Sequence, residues 1–232
     1  MISILSLLFE SIPEHPDTLI IRNEFYSDGL TQRDIYNYYM KNKQKILEQT
    51  KNREIMIFLA TDLNRVIVKR KIKDSFIRLD SSNYDKIISG RTLSIISTMN
   101  RYENFGIIDI DYHDFNVAKE ATAKIYDYLY RINKNLKIFF TGKSSFHIRY
   151  GFDMKYPIDQ IRLKLKDILQ DLADKYNINY KRNKEQPNLD LSPNKYRGGF
   201  ITPFSLSIKG LQCLPVLRNS LSTFKQVDAK IR

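Results

Sequence analysis

Asp109 and Asp111 stand one residue apart at the end of the run Phe105-Gly106-Ile107-Ile108-Asp109-Ile110-Asp111. Side chains alternate faces along a β-strand, so this spacing puts both carboxylates on one face and Ile108 and Ile110 on the other. Two like charges so placed repel unless a cation lies between them or water screens them. Hard divalent cations, Mg²⁺ or Mn²⁺, take oxygen ligands of this kind. A pair of such ions can align an attacking oxygen with a phosphate for in-line displacement. The chemistry on offer is phosphoryl or nucleotidyl transfer; the alternative is a strand end that exposes its charge to water.

A second group is Thr141-Gly142-Lys143-Ser144-Ser145-Phe146-His147. Small residues let the N–H groups of a turn approach an anion, and Lys143 adds positive charge. His147 shares a strand face with Arg149, while Ile148 and Tyr150 take the other. Such donors suit a triphosphate; alternatively the small residues only make a turn and His147 is a half-buried histidine satisfied by a neighbour. The spacing of a Walker A loop is absent. A third group comprises Asp190-Leu191-Ser192-Pro193-Asn194, Arg197-Gly198-Gly199 and Thr202-Pro203-Phe204-Ser205-Leu206-Ser207-Ile208-Lys209-Gly210. Asp190 is a candidate third carboxylate. Arg197 and Lys209 are candidate phosphate contacts, one a planar fork and the other a point charge. Plain polar loops are the alternative reading.

The elements that must position these groups follow from periodicity. Thr31–Thr50 reads as one helix with Thr31 as its cap and Ile35, Tyr39, Ile46 and Leu47 inward. Strands are predicted at Ile55–Ala60, Arg65–Lys69 and Ser75–Leu79, and Tyr84–Thr98 reads as helical in its second half. Then come a strand at Phe105–Asp111, a helix at Asn116–Asn133, and strands at Leu136–Phe140 and Phe146–Phe152 about the Thr141–Ser145 turn. Pro157 opens a further helix whose inner face runs from Ile161 to Tyr176. Asn177–Asn188 reads as an exposed loop with a short strand, Phe200–Leu206 and Cys213–Leu217 as strands, and Asn219–Arg232 as a helix or a frayed tail. The order β-α-β-β-α-β from residue 105 is ferredoxin-like, the character that also underlies RNA-recognition folds.

With 232 residues, 42% hydrophobic and 28% charged, the chain is a folded globular protein with a sizeable core. Lys and Arg number 38 against 26 Asp and Glu, a net charge of +12, which favours a polyanionic partner such as nucleic acid. No basic amphipathic stretch points to a membrane surface. The 15 Tyr and 13 Phe offer surfaces on which bases could stack, although most must be core. Cys213 is the single cysteine, so the chain holds no disulfide framework and no thiolate zinc site. That fits a reducing compartment such as the cytoplasm rather than secretion. Met1–Phe9 lacks a basic n-region and a cleavage site, is too short to span a bilayer, and reads as an N-terminal helix or strand.

The three groups, in this order, resemble the catalytic motifs of the archaeo-eukaryotic primase superfamily. Those are a hydrophobic strand ending Asp-h-Asp, a Ser-Gly-x-x-Gly-x-His turn and strand, and an h-Asp ahead of a Pro-x-Ser-Leu segment with a basic residue. The third group is most similar to the polymerase domain of bacterial end-joining DNA ligases, matching at Asp190, Ser192, Asn194, Pro203, Ser205 and Leu206, with Phe204 for a Tyr. Leu30–Tyr39 resembles that group's N-terminal helix. The resemblance implies an α/β (α+β) archaeo-eukaryotic primase fold forming one primase-polymerase catalytic domain. Its RRM/ferredoxin-like catalytic core would span about 101–232, with an N-terminal mixed α/β lobe at about 1–100. It implies a DNA primase or primase-polymerase that adds nucleotides from NTPs or dNTPs on a DNA template or primer, with two Mg²⁺ or Mn²⁺ ions and no zinc.

Carried over residue by residue, Asp109, Asp111 and Asp190 would be the catalytic metal ligands. Thr141, Lys143, Ser144, His147, Arg197, Ser205 and Lys209 would bind the incoming nucleotide. A large primase subunit, a helicase, a ligase or a CRISPR-associated protein are the partners it leaves open. The chain departs from the pattern at Thr141 (usually Ser), at Ser145 (a Gly) and at Ser207, where related proteins carry Arg or His. A non-catalytic nucleic-acid-binding module on the same fold and a metal-dependent nuclease are the competing readings.

Overall fold

The computed structural model describes residues 15–63, 65–72, 74–176 and 188–231. The expected element at Met1–Phe9 and nearly all of the Asn177–Asn188 loop lie outside these residues. The chain divides into two compact units. The first takes the chain up to Ser97, then Ile201–Cys213 and the residues from Ala229; the second takes Thr98–Phe200 and Leu214–Asp228.

In the first unit, β1 (Leu19–Asn23) and β2 (Tyr26–Thr31) form an antiparallel hairpin. Thr31 caps α1 (Gln32–Lys41): its hydroxyl accepts the Asp34 N–H at 3.2 Å while the Asp34 carboxylate accepts the Thr31 N–H at 2.8 Å, a reciprocal capping box. The single helix expected over Thr31–Thr50 is two. Asn42 leaves helical geometry at φ −101°, ψ 9°, and α2 (Lys43–Thr50) starts after it. The Asn42 side-chain amide donates to Tyr38 O at 3.0 Å, beside its own backbone N–H at 3.1 Å, and such side-chain competition ends helices. Next, β3 (Ile55–Asp62) pairs antiparallel with β4 (Arg65–Lys69). The two-residue strands β5 (Lys71–Ile72) and β6 (Ser75–Phe76) and the single turn α3 (Tyr84–Ile87) follow.

The stretch Thr92–Thr98, expected to be helical, is strand β7, antiparallel to β3. Four of its seven residues, Thr92, Ile95, Ile96 and Thr98, are β-branched, and it is buried on both faces, so it has strand propensity without the alternation that marks a half-exposed strand. Only Phe200 and Ile201 of the expected Phe200–Leu206 strand lie in a strand, Gly199–Ile201, and Phe204 sits at φ 66°, a left-handed conformation outside regular strand geometry.

The second unit holds β8 (Tyr102–Asp111), α4 (Phe115–Ile132), β9 (Leu136–Phe140), β10 (Phe146–Pro157), α5 (Ile158–Tyr176), β11 (Asn188–Asp190) and, after the crossing strand β12 (Gly199–Ile201), β13 (Leu214–Val216). The sheet order is β11-β8-β10-β9-β13, every neighbour antiparallel. This is the ferredoxin-like β-α-β-β-α-β arrangement with one added edge strand. Asp114 caps α4 by accepting the Val117 N–H at 2.9 Å. Pro157 ends β10 rather than opening α5. Residues 219–231 contain short 3₁₀ turns in place of a helix.

One face of this sheet is apolar: Ile108, Ile110, Phe146, Ile148 and Leu189 are buried. The helices cover that face. At Gly106 a Cβ would lie 2.5 Å from Leu165 Cδ1 and 2.8 Å from Ile161 Cγ2, both on α5, so only glycine permits this approach. Alternation along β8 then leaves Asp109 and Asp111 on the opposite face. Among the described residues no helix is long and apolar enough to cross a membrane.

Candidate functional site

Antiparallel pairing builds the site. Asp109 on β8 lies opposite His147 on β10 and opposite Asp190 on β11. Directly opposed residues share a face, so Asp190, Asp109 and His147 form one row across adjacent strands, with Asp111 two residues further along β8. Placing two carboxylates opposite each other costs stability unless a positive group answers them. His147 answers in part: its Nε2 is 3.2 Å from Asp109 Oδ1, and its side chain is 10% exposed against 22% for Asp109. The two atoms are within ion-pair distance but are not aligned as a hydrogen bond. Asp109 Oδ1 is shielded from water and has no hydrogen-bond donor among the described residues, an arrangement that costs more than leaving a neutral acceptor unpaired.

The turn from Thr141 to Ser145 leans on the end of β8. Gly142 takes φ 84°, the left-handed region that favours glycine. Thr141 donates both its N–H and its hydroxyl to Ser145 O, each at 3.0 Å, so these donors close the turn. Ser144 Oγ donates to Tyr112 O at 2.6 Å, and Ser145 Oγ donates to Asp111 Oδ1 at 2.6 Å. Ser144 and Ser145 are buried, and Lys143 projects into solvent between them and Gly142. Burial pushes the Tyr112 hydroxyl up to about 12, so it stays protonated at neutral pH.

The loop after β11 fixes Asp190. Its Oδ1 accepts the Ser192 N–H and its Oδ2 accepts the Ser192 hydroxyl, both at 2.6 Å, an Asx turn closed by its own serine. β11 stops pairing with β8 at Asp109, and the Asn194 side chain takes over the ladder at Ile107. Asn194 Oδ1 accepts the Ile107 N–H at 2.7 Å, and Nδ2 donates to Ile107 O at 2.6 Å and to Leu191 O at 3.2 Å. The loop carrying Asp190 is thereby locked to the strand carrying Asp109.

The Arg197 guanidinium stacks on Tyr196 with its carbon 5.0 Å from the ring centroid. Ser205 and Lys209 belong to the first unit. Ser205 is fully buried; its Oγ accepts the Ile95 N–H at 2.6 Å and lies 3.2 Å from the Tyr39 hydroxyl. Lys209 Nζ is 3.2 Å from the Glu24 carboxylate. A backbone hydrogen bond and then this lysine hold the Glu24 carboxyl below its usual range.

Three supporting residues escaped the sequence reading as site members: Ser145, Ser192 and Asn194. The Asp-x-Ser spacing of an Asx turn could have signalled Ser192. Arg149, on His147's face, is stacked among Phe139, Phe105 and Phe200 at 4.7, 5.0 and 5.2 Å.

Three carboxylates on one sheet face are hard oxygen donors suited to Mg²⁺ or Mn²⁺, and Asp109 Oδ1 has a lone pair without a partner. Among the described residues no three His, Cys, Asp or Glu side chains stand together as a finished metal-binding group, with Asp111 bonded to Ser145 and Asp190 to Ser192.

No family model matches the sequence, and no curated protein does. Among solved structures the chain is similar to the polymerase domain of Mycobacterium tuberculosis Ligase D, determined in complex with DNA. The TM-score is 0.75, the match covers 90% of this chain and 87% of that one, and the sequences are 13% identical. The mixed α+β architecture is therefore the fold of that polymerase domain.

Proposed function

We propose that the second unit carries a nucleotidyl-transfer site that adds nucleotides from NTPs or dNTPs to a nucleic-acid strand on a DNA template, as primases and primase-polymerases do. The observation that supports it most is the row Asp190, Asp109 and His147 across three strands, with the shielded Asp109 Oδ1 at its centre. Asp109, Asp111 and Asp190 would hold one or two divalent ions, Mg²⁺ or Mn²⁺. Bound there, such ions lower the pKa of an attacking hydroxyl and neutralise the leaving pyrophosphate.

The chain's own residues do the rest. Ser145 and Ser192 orient the Asp111 and Asp190 carboxylates through their hydroxyls. Ser144 anchors the turn to Tyr112 O, which presents the exposed Lys143 ammonium beside the carboxylate edge, where it can meet a triphosphate as a mobile point charge. The His147 ring, next in the row, offers an N–H donor to a phosphate oxygen as charge develops there. The DNA held by the similar structure and the net charge of +12 support DNA as the polyanionic partner.

Incubating the protein with Mg²⁺ or Mn²⁺, a labelled primer on a template, and ribo- or deoxyribonucleoside triphosphates tests the proposal. The primer lengthens with the wild type, and Asp109→Ala reduces extension at least about a hundredfold, the scale of losing several kcal/mol of charge stabilisation. Absence of extension or de novo product with either ion, or full activity in Asp109→Ala, would refute it. Primer shortening would point to a nuclease.

A further inference from the structure

At the opposite end of β8 from the carboxylates, the second unit carries a compact basic and aromatic surface. Arg101 and Tyr102 stand where β8 opens, and Lys195, Tyr196 and Arg197 form the turn that follows Asn194; all are exposed. Tyr102 is 60% and Tyr196 43% exposed, large values for tyrosines that serve no core. The Arg101 guanidinium carbon lies 4.9 Å from the Tyr196 ring centroid and that of Arg197 lies 5.0 Å away, so one exposed ring gathers two guanidinium groups. Tyr102 and Asp109 are seven residues apart on one strand, roughly 23 Å of extended chain, which separates this surface from the carboxylate row.

The turn is built, not loose. Lys195 N–H donates to Pro193 O, Gly198 N–H to Lys195 O, Arg197 N–H to Met99 O and Met99 N–H to Gly198 O, all between 2.7 and 3.0 Å. A Cβ at Gly198 would lie 2.0 Å from Pro193 O, so the chain has no room for another residue there. Arg197 itself is held at φ 60°, a conformation that glycine and asparagine adopt readily and arginine rarely does. Strain of this kind persists where the surroundings impose it, and it concentrates at functional positions. Here it fixes the backbone from which the guanidinium reaches Tyr196.

We infer that Arg101, Tyr102, Lys195, Tyr196 and Arg197 form a platform for single-stranded nucleic acid. Bases stack on the Tyr102 ring or extend the arginine–tyrosine pile, since guanidinium planes and aromatic rings both accept an unstacked base. The same arginines and Lys195 neutralise the flanking phosphates. A duplex keeps its base faces covered and would use the charges alone, leaving the two exposed tyrosines without a purpose. The platform is independent of the transfer chemistry proposed above.

The test is fluorescence anisotropy of the full chain with a labelled single-stranded oligonucleotide over a series of salt concentrations, without divalent ions or triphosphates. Tyr196→Ala and Tyr102→Ala each weaken binding on the order of tenfold, whereas Tyr196→Phe, which keeps the ring, binds as the wild type does. In the double variant Arg101→Gln, Arg197→Asn the asparagine tolerates the left-handed backbone. Its slope of log affinity against log salt shrinks by about 1.4, roughly 0.7 for each lost phosphate contact. Wild-type affinity and slope in these variants would overturn the inference, as would no binding by the wild type or equal competition from a duplex of the same length. Loss of extension with intact platform binding would instead remove only the transfer reading.

Discussion

Replacing Asn194 probes the joint that sets Asp190 against Asp109. Its amide is fully buried and satisfies both backbone groups of Ile107, itself fully buried. In Asn194→Ala those two groups lose their partners, and each buried, unpaired backbone group costs about 1–3 kcal/mol. A total of about 3 kcal/mol is the expectation, since water reaching the vacated space offsets part of the cost. For a chain of this size that lowers the melting temperature by roughly 6–12 °C.

Asn194→Asp, though nearly isosteric, is expected to be worse at neutral pH. Its carboxylate still accepts the Ile107 N–H but has no proton for Ile107 O or Leu191 O, and it buries a charge against two carbonyls. The gap between the two variants narrows in acid, where the protonated carboxyl regains one O–H donor. Thermal melts followed by circular dichroism and calorimetry measure this and reveal whether the two units melt together. Asn194→Ala melting within about 2 °C of the wild type, or Asn194→Asp more stable than Asn194→Ala at neutral pH, would refute the reasoning.

Other perturbations separate structural from functional roles. Ser205→Ala strands the buried Ile95 N–H and should destabilise the chain by about 1–3 kcal/mol in a denaturant titration. An unchanged midpoint with weakened triphosphate affinity would instead make Ser205 a ligand contact. The Asp127 carboxyl is held below its usual range by its hydrogen bond to Arg218 Nε at 2.8 Å. A lowered carboxyl stabilises the folded state above the unfolded value of about 3.9, and the benefit fades as pH falls through the lowered folded value. Asp127→Asn should therefore be the less stable protein at pH 7 and match the wild type in strong acid; a stability gap that grows on acidification would contradict this.

What the sequence made legible was local. The capped start of α1 at Thr31, the limits of β4 and β9, and the β-α-β-β-α-β order of the second unit all rest on caps, turns and periodicity within a few residues. The alternation Ile108-Asp109-Ile110-Asp111 likewise placed two carboxylates on one face. The misread elements depended on distant partners. Thr92–Thr98 is buried on both faces, which erases the alternation, and Phe204 is bent into a left-handed conformation that no propensity announces. The break at Asn42 turns on one amide that competes with the backbone. Asn194 acts as a strand residue through its side chain, a role invisible to any pattern of apolar positions. That Ser205 and Lys209 belong with the first unit depends on where the chain returns, which spacing along the sequence does not encode.

The interleaving of the two units has a consequence for how the chain assembles on the ribosome. The Tyr38 and Tyr26 hydroxyls donate to Phe204 O and Gly210 O, and Tyr39 contacts Ser205. Three buried tyrosines made early in translation thus wait for partners made roughly a hundred residues later than Ser97, a separation that slows closure. The second unit instead has its strands from β8 to β11 in one continuous stretch and lacks only its edge strand β13 until late. The later-synthesised sheet is therefore expected to fold ahead of the N-terminal unit, reversing the usual vectorial order in which N-terminal structure forms first.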